Sequence, residues 1–252
     1  MYKILSITPI DHIKGVKSGL RKIGSLICLN NPTKNEILNL KDDIDVLFTN
    51  PNKSKFYIDK IIIDHFKQLK AICTASTGTN HIDKEYAKVK NIKIISITKE
   101  MSVIEKISST AEHAFSLMLS SLRNIIPAHQ SVLEDNWDYF PFIGKQLSCL
   151  NVGVLGFGRL GQKFAKYAKA FTETVTVYDP YKKIDNECFI PVHDICELAK
   201  KCDIISLHVH VSEETTGIIG QKFLKNAKSD VLLVNTSRGE ILDEIAVVKF
   251  LK

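Results

Sequence analysis

The sequence predicts an α/β protein that contains two successive parallel sheets, and three observations support this fold class. Short apolar runs rich in β-branched residues alternate with charged stretches through the first hundred residues. These runs are almost continuously apolar, as strands are when helices cover both faces of a sheet. The same alternation begins again at Leu150 and continues through the second half of the sequence. We therefore expect two βαβ domains in series.

The first predicted domain, over residues 1–100, contains five strands. The apolar runs place these strands at residues 3–8, 25–29, 45–49, 71–75 and 92–97. Between the strands, apolar residues follow the spacing of one helix face, as Ile58, Ile62 and Phe66 do. The alternation of short apolar runs with stretches of helical spacing indicates parallel strands joined by crossover helices.

One long helix is predicted over residues 107–126, with its end near Pro127. Ser108, Ser109 and Thr110 are candidate N-cap residues, and Glu112 follows Ser109 at the spacing of a capping box, which predicts the start of the helix in this region. The apolar residues that recur at helical spacing are Ile107, Ala111, Ala114, Phe115, Met118, Leu119, Leu122 and Ile125. We expect this helix to link the two domains.

The second predicted domain covers residues 101–252 and includes the linking helix. Its strands are predicted at residues 150–155, 173–178, 203–209 and 231–235. Helices are predicted between them at residues 159–171, 194–201 and 219–227, with a last helix that starts near Asp243. The alternation stops there without a closing strand, so we expect a domain that is incomplete at its C-terminus.

Composition and charge exclude several classes of protein. Hydrophobic residues make up 44% of the 252 residues and charged residues 25%, which excludes a disordered, collagen-like or coiled-coil chain. The net charge is +6, but the basic residues are scattered, so we expect no nucleic-acid partner. The positive charge is compatible with an anionic small-molecule ligand, and equally with the absence of any charged ligand. No serine, histidine and acidic residue follow the nucleophile-elbow pattern, which argues against a hydrolase.

The cysteines and the apolar segments indicate the expected compartment. The sequence has 6 cysteines, with neither a Cys-x-x-Cys pair nor zinc-ligand spacing, so we expect no metal site. Most lie in apolar segments, as buried thiols do, which favours a reducing, cytoplasmic setting. No segment approaches the ~20 apolar residues of a membrane span. We therefore expect no membrane partner.

A glycine motif at residues 156–161, with the sequence GFGRLG, follows an apolar run and precedes a stretch of helical spacing. Gly156 allows a tight turn, Gly158 lets backbone approach a pyrophosphate, and Gly161 lets helix and strand pack closely. The helix N-terminus that follows supplies N–H donors and a positive dipole end to phosphates. Between a strand and a helix, the motif predicts dinucleotide binding. The alternative is a glycine-rich turn that binds no ligand, since such a turn can have the same sequence.

Asp179 ends the next predicted strand, at the distance from the motif that is expected for an acidic ribose ligand. Its carboxylate can accept hydrogen bonds from both ribose hydroxyls and repels a 2′-phosphate. This position therefore predicts NAD as the cofactor in preference to NADP. The alternative is a strand-end cap before Pro180.

Two further loops are candidates for binding an anionic substrate. Arg238 follows a predicted strand, where α/β ligand sites form, and its guanidinium can clamp a carboxylate. A surface arginine in a turn is an equal alternative. Thr77 and Gly78 follow the strand at 71–75, and a glycine-containing loop there can offer N–H groups to an anion. A plain strand-to-helix turn is about as well supported.

Five segments together resemble the D-isomer-specific 2-hydroxyacid dehydrogenases, the family that includes D-3-phosphoglycerate dehydrogenase. The resemblance covers essentially the whole chain, and the segments occur in the family's order. They are residues 76–83 (STGTNHID), 109–113 (STAEH), 156–161 with Asp179, 202–209 (CDIISLHV), and 235–239 (NTSRG) continuing to 242–244 (LDE).

The resemblance implies a flavodoxin-like substrate domain followed by a Rossmann-type doubly wound NAD-binding domain. It implies NAD-dependent hydride transfer between a small 2-hydroxy acid and its 2-oxo acid, and homodimers formed mainly through the NAD domain. Arg238 would hold the substrate carboxylate and polarise the 2-oxo group. Thr77 and Gly78 would bind the carboxylate, with Asn80 nearby. The residues implied to contact the cofactor, besides the three glycines, are Thr110, Arg159, Leu160, Asp179, His208, Thr215 and Thr236.

The sequence departs from the family pattern in two places. His210 stands where the family usually has proline. The family also has a glutamate and then a proton-transferring histidine far beyond the arginine, whereas this sequence continues only to Lys252. The chain is therefore expected to be C-terminally truncated. Two readings follow, an NAD-dependent oxidoreductase and a catalytically inactive NAD-binding protein, and we expect little or no dehydrogenase activity from these residues alone.

Overall fold

The computed structural model describes residues 1–41, 43–50, 57–185 and 187–251. Its residues form two compact units, Met1–Lys106 and Ile107–Lys252. The roles predicted for residues 1–100 and 101–252, substrate and cofactor binding respectively, stay predictions. Each unit is described by itself below.

The first unit is a five-stranded parallel sheet with the strand order β2-β1-β3-β4-β5, which is the flavodoxin-like order. Its strands are β1 (Tyr2–Ser6), β2 (Gly24–Cys28), β3 (Val46–Thr49), β4 (Ala71–Thr74) and β5 (Lys93–Ser96). Its helices are α1 (Val16–Ile23), α2 (Lys34–Leu38), α3 (Lys60–His65), α4 (Lys84–Val89) and α5 (Met101–Ile104). All five predicted strands are therefore present.

Side-chain caps begin three of the helices of this unit, α2, α3 and α4. Asp59 accepts hydrogen bonds from the N–H groups of Ile61 and Ile62 at the start of α3. Asp83 accepts one from Tyr86 at the start of α4. The buried faces of these helices then pack against strand residues such as Leu5, Leu47 and Ile72. The helices are thus placed by a cap at one end and an apolar face along their length.

The second unit is also a five-stranded parallel sheet, with the order β10-β9-β6-β7-β8. Counted within the unit, this is the order 5-4-1-2-3, as in the Rossmann fold. Its strands are β6 (Val152–Leu155), β7 (Val175–Tyr178), β8 (Ile190–Val192), β9 (Ile204–Leu207) and β10 (Leu232–Asn235). Its helices are α6 (Ser109–Leu122), α7 (Ile125–Leu133), α8 (Arg159–Lys169), α9 (Ile195–Lys201), α10 (Gln221–Asn226) and α11 (Glu244–Phe250). The predicted α/β class, flavodoxin-like and then Rossmann-type, is confirmed.

Helices cover both faces of the second sheet. On one face, Met118 of α6 and Phe164 of α8 are buried against strand residues such as Val154. On the other face, Leu198 of α9 and Phe223 of α10 are buried in a separate cluster. Burial on both faces explains why these strands are continuously apolar in sequence.

The linking helix predicted over 107–126 is wrong in extent, because the structure divides it in two. Helix α6 ends at Leu122, and Asn124 adopts a left-handed conformation with φ 52° before α7 begins. Asparagine is one of the few residues that adopts this conformation at low cost. Pro127 lies in the first turn of α7, where the absence of its N–H removes no helical hydrogen bond.

The predicted capping box at the start of this helix is also wrong. Ser108 is the N-cap residue, and its hydroxyl donates to the Glu112 carboxylate instead of accepting from the backbone. Ser109 is already helical. The spacing of a capping box is present, but the helix begins one residue too early for it to form.

Strand β8 was not predicted from the sequence. It is three residues long, contains Pro191, and pairs only with β7 at the edge of the sheet. A short run interrupted by proline carries little strand signal, and proline is tolerated in a sheet only at such an edge.

Free thiols are present at Cys28, Cys73, Cys149, Cys196 and Cys202. Cys196 and Cys202 are buried, and burial raises the pKa of the Cys202 thiol to about 11. In the part of the chain that the structure describes, no helix has both the length and the apolar character needed to cross a bilayer.

Candidate functional site

The carboxyl edge of the second sheet brings three loops side by side. Leu155, at the end of β6, pairs with Tyr178 of β7 on one side and Leu207 of β9 on the other. The loops that follow these three strands therefore begin at the same edge. In doubly wound sheets this is where ligands bind, because the strand order reverses beside β6: the chain adds β7 and β8 on one side and β9 and β10 on the other, which opens a crevice.

The glycine motif forms the central loop, and two of its glycines have no room for a side chain. Gly156 has a φ of 91°, and a Cβ there would lie 2.7 Å from the carbonyl oxygen of His208. A Cβ at Gly161 would lie 2.0 Å from the carbonyl oxygen of Gly156. The first glycine therefore makes the turn possible, and the second lets α8 approach the end of β6.

Gly158 differs from these two glycines because its side-chain position is open. Beyond its chain neighbours, no heavy atom of the described residues lies within 4 Å of the position that a Cβ would take. Gly158 is the N-cap residue of α8 and provides no side-chain cap. The first N–H groups of a helix have no partner within the helix, and here they face an approach that is free of side chains at Gly158.

Asp179 ties the glycine motif to the neighbouring loop. Its Oδ2 accepts a hydrogen bond of 2.7 Å from the backbone N–H of Phe157. Its Oδ1 accepts one of 2.9 Å from the backbone N–H of Tyr181. A carboxylate has about four acceptor positions, so two remain for further donors. Asp179 is half-buried and so is accessible to a ligand.

Arg159 and Thr110 lie at the starts of two neighbouring helices. Arg159 is the first residue of α8, and its guanidinium donates to the carbonyl oxygen of Ile107, just before α6. Thr110 is half-buried in the first turn of α6. Leu160 packs its side chain against the core beneath, which leaves its backbone N–H as the group able to face a phosphate.

His208 is held in a neutral form at the end of β9. Its Nε2 lies 2.9 Å from the Oγ of Ser206, and its ring centroid lies 5.0 Å from that of Phe164. Burial lowers the pKa of the imidazole to about 4, because a charged ring would lose its solvation here. At neutral pH this histidine is therefore an uncharged group.

Thr236 follows β10 and has a hydroxyl with an unmet hydrogen bond. Its Oγ1 is buried and has no hydrogen-bond partner among the residues that the structure describes. A buried polar atom without a partner is costly in a folded protein. A ligand that reached this edge of the sheet would satisfy it.

Arg238 is exposed in the loop after β10. One guanidinium nitrogen donates to the carbonyl oxygen of Ser237 at 2.7 Å. Ser237 in turn donates its hydroxyl to the carbonyl oxygen of Leu207 at 2.7 Å, which joins this loop to the end of β9. An arginine has five N–H donors, so most of the guanidinium remains able to bind a carboxylate.

The Thr215 hydroxyl is used inside its own loop. It accepts a hydrogen bond of 2.8 Å from the backbone N–H of Ser212 and donates to the carbonyl oxygen of His210. These bonds shape the loop after β9. Because the hydroxyl already donates and accepts within the loop, a contact of Thr215 with a cofactor would involve its methyl group or its backbone.

The candidate loop in the first unit follows β4. Ser76 donates its hydroxyl to the carbonyl oxygen of Gly78 at 2.7 Å, and its Oγ lies 2.8 Å from that of Thr74. Thr77 and Asn80 are exposed. Local hydroxyl bonds thus shape this loop, and its N–H groups lie near the surface.

Sequence reasoning missed the residues that brace these loops. Ser206, Ser237 and Tyr181 each make a contact that only the three-dimensional arrangement shows. Ser206 had a weak signal, since it lies two residues before His208 on a strand and so shares its face. Tyr181 and Ser237 had no signal of this kind.

A family model matches more than half of the chain. Residues 115–252 match the model described as D-isomer specific 2-hydroxyacid dehydrogenase, NAD binding domain. This range begins within α6 and includes the glycine motif, Asp179 and Arg238.

Curated relatives match the whole chain or most of it. A D-3-phosphoglycerate dehydrogenase of Methanocaldococcus jannaschii is 35% identical over 100% of this chain and 47% of its own length. A hydroxypyruvate reductase of Thermotoga maritima is 36% identical over 85% of this chain and 67% of its own length. The chain thus spans about half the length of the first of these relatives.

Solved structures resemble the chain along almost its full length. The NAD-dependent formate dehydrogenase of Staphylococcus aureus, in complex with NAD, aligns with a TM-score of 0.82 and 27% sequence identity. The alignment covers 98% of this chain and 77% of that protein.

Proposed function

Because this chain belongs to the D-isomer-specific 2-hydroxyacid dehydrogenase family, we propose that it serves NAD-dependent hydride transfer between a small D-2-hydroxy acid and its 2-oxo acid. The family's NAD-binding domain lies within the second unit. The observation that carries the proposal is the glycine motif. Its open Gly158 lies at the N-terminus of α8, and its Phe157 N–H donates to the Asp179 carboxylate.

The residues at the carboxyl edge of the second sheet fit NAD. The open approach at Gly158 suits a pyrophosphate, and the partnerless Thr236 hydroxyl suits a polar group of a ligand. Arg159 has guanidinium donors beyond the one used by Ile107 and would bind a phosphate. The two unused acceptor positions of Asp179 would receive the ribose hydroxyls. Thr110, Leu160, His208 and Thr215 complete the proposed cofactor contacts.

Arg238 is proposed as the residue that orients the substrate. Its guanidinium would bind the substrate carboxylate by two parallel hydrogen bonds and polarise the 2-oxo group. The bond between Ser237 and Leu207 supports the loop that carries it. Bound NAD supplies the hydride acceptor or donor in this chemistry. We do not assign the proton transfer to His208, because its ring is neutral, buried and already bonded to Ser206.

The first unit would contribute its loop after β4 to substrate binding. Thr77 and Gly78 would offer backbone N–H groups to an anionic group, and Asn80 its side-chain amide. The Ser76 hydroxyl supports this role because it fixes the Gly78 carbonyl and so the direction of the neighbouring N–H groups.

A homodimer formed through the second unit is part of the proposal. Large apolar residues are exposed together along α7 and the segment after it, where Ile126 is 71%, Leu133 65% and Trp137 88% exposed. Exposed apolar surface of this extent is typical of a protein interface. Molar mass from light scattering tests this, since Trp137→Glu is expected to yield monomers.

We also propose a reducing, cytoplasmic setting. The support is the set of free cysteines Cys28, Cys73, Cys149, Cys196 and Cys202, of which Cys149 is exposed. Mass spectrometry of native thiols would show them unpaired. A native disulfide would contradict the assignment.

Calorimetric titration with NADH and NADPH tests the cofactor proposal. We expect NADH to bind more tightly, because the Asp179 carboxylate repels a 2′-phosphate. Asp179→Asn removes the charge, keeps an oxygen acceptor and should weaken NADH roughly tenfold while narrowing the gap to NADPH. Equal affinity of the parent for both cofactors would contradict the role of Asp179. Turnover of NADH with a panel of 2-oxo acids, compared between the parent and Arg238→Ala, tests the catalytic part separately.

A further inference from the structure

A side-chain contact joins the two loops on either side of the glycine motif. Tyr181, in the loop after β7, donates its hydroxyl to the carboxylate of Glu214, in the loop after β9. Strands β7 and β9 are the two neighbours of β6, whose end carries the glycine motif. A bond between their loops therefore crosses the carboxyl end of β6.

Hydrogen bonds hold the backbone at both ends of this bridge. The Tyr181 N–H donates to Asp179, which also holds Phe157 of the glycine motif. Glu214 lies within a turn in which the Thr216 N–H donates to the carbonyl oxygen of Ser212 at 2.9 Å. Rotation of two side chains is then enough to open the bridge, without refolding of either loop.

The two side chains are exposed, so opening costs little buried surface. Tyr181 is 77% exposed, and Glu214 is exposed as well. Hydrogen bonding to the Glu214 carboxylate raises the pKa of the Tyr181 phenol, so the phenol stays protonated and able to donate at neutral pH. The contact can therefore break and re-form by rotation of the two side chains.

We propose that Tyr181 and Glu214 form a latch over the ribose side of the cofactor site and control the rates at which the cofactor enters and leaves. The inference rests on the proposed NAD site, because a cofactor extended from the glycine motif to Asp179 would pass under this contact. A latch that closes on both the free and the loaded site raises one barrier for entry and for exit. It changes the two rates together and leaves their ratio, the affinity, almost unchanged.

Stopped-flow fluorescence of NADH binding to the full chain tests the latch. Tyr181→Phe removes only the hydroxyl, and we expect the association and dissociation rate constants each to rise roughly threefold to tenfold. The Kd should stay within about twofold of the parent value, since the end states are unchanged. A rise in the dissociation rate alone would instead make Tyr181 an ordinary cofactor contact and overturn the proposal, as would two unchanged rates.

Glu214→Ala tests the other half of the latch, because alanine has no oxygen to accept the Tyr181 hydrogen bond, and it needs a control for charge. Removing a negative charge speeds association of an anionic cofactor by itself. Glu213→Ala makes the same charge change at the exposed neighbouring residue, so it measures that effect. We expect Glu214→Ala to raise both rate constants beyond Glu213→Ala, and the double variant of Glu214→Ala with Tyr181→Phe to add nothing further. Equal effects of the two glutamate variants would overturn the latch.

The same experiment separates this inference from the cofactor proposal. A parent chain that binds no NADH refutes the proposed site, and the latch with it. A parent that binds NADH while the latch variants keep its rates refutes the latch alone. Thermal unfolding of each variant, expected within about 1 °C of the parent at these exposed positions, confirms that the rates belong to folded protein.

Discussion

The two candidate ligand loops follow buried parallel strands, yet the structure holds them in different ways. In the second unit, backbone contacts and one carboxylate fix the glycine motif, because Gly161 lies against Gly156 and Asp179 holds Phe157. In the first unit, the loop after β4 is shaped by the hydroxyls of Thr74 and Ser76. The carboxyl edge of the second sheet thus carries a loop in which Gly156 and Gly161 have no room for an added atom. The carboxyl edge of the first sheet carries a loop that depends on weak local hydrogen bonds.

This difference bears on what each loop can recognise. A loop fixed by backbone contacts offers its N–H groups at invariant positions, which suits a rigid pyrophosphate. A loop fixed by single hydroxyl bonds can adjust by small rotations. We therefore expect substitutions in the second unit to affect stability strongly, and those in the first unit to act mostly on the loop itself.

The largest expected effect is at Gly161. The methyl group of Gly161→Ala would lie 2.0 Å from the carbonyl oxygen of Gly156, which must move with its strand. We expect the free energy of unfolding to fall by about 3 kcal/mol or more, as overpacking against backbone does, and NADH binding to be lost. Urea denaturation and calorimetry measure the two effects.

Gly158→Ala is the matched control for that variant. The position has room for a methyl group, so stability should change by less than about 1 kcal/mol, the helix-propensity scale. NADH binding should nevertheless weaken, because the methyl group would lie in the proposed path of the pyrophosphate. Equal destabilisation by the two alanines would contradict the distinction drawn between these glycines.

The next effect concerns His208 and pH. Its folded pKa of about 4 lies below the ordinary 6.5, so the unfolded state binds the proton first as the pH falls. The stability that neutral His208 contributes is fully present above pH 6.5 and is lost as the pH falls towards 4. The loss amounts to about 3 kcal/mol across that window.

Urea unfolding of the parent and of His208→Gln at several pH values measures this contribution. The variant should show a flatter dependence of the free energy of unfolding on pH between pH 4 and 6.5. His113→Gln removes an exposed imidazole from α6 and serves as the control. If the free energy of unfolding of His208→Gln changed with pH as steeply as that of the control and the parent, His208 would not be held neutral.

The smallest expected effects come from removing one serine hydroxyl in each candidate loop. Ser237→Ala loses a bond to Leu207 that spans 30 residues of sequence, whereas Ser76→Ala loses a bond to Gly78 that spans 2. Each bond is worth about 1 kcal/mol. We expect Ser237→Ala to lower the stability of the second unit and Ser76→Ala to increase hydrogen exchange mainly at residues 76–80. Global destabilisation by Ser76→Ala, without local exchange, would contradict the contrast between the loops.

Much of the fold could be predicted because it depends on short-range patterns. The predicted strands 71–75 and 231–235 correspond to β4 and β10, and the glycine motif indicated the turn between β6 and α8. A buried parallel strand is apolar along its whole length, and a glycine turn has few alternatives. Positions such as Asp179 at a strand end could therefore be chosen from sequence, although their partners could not.

The sequence by itself determined the periodic elements, their order, and the residue types available at each strand end. Tertiary structure decided which of those residues meet. It ended α6 before Asn124, recruited Pro191 into an edge strand, and placed Tyr181 against Glu214. The physical reason is that periodicity records burial of one face, whereas a contact between distant loops depends on strand order and register. No local pattern contains that order, so the latch and the braces around the candidate site become visible only in the folded chain.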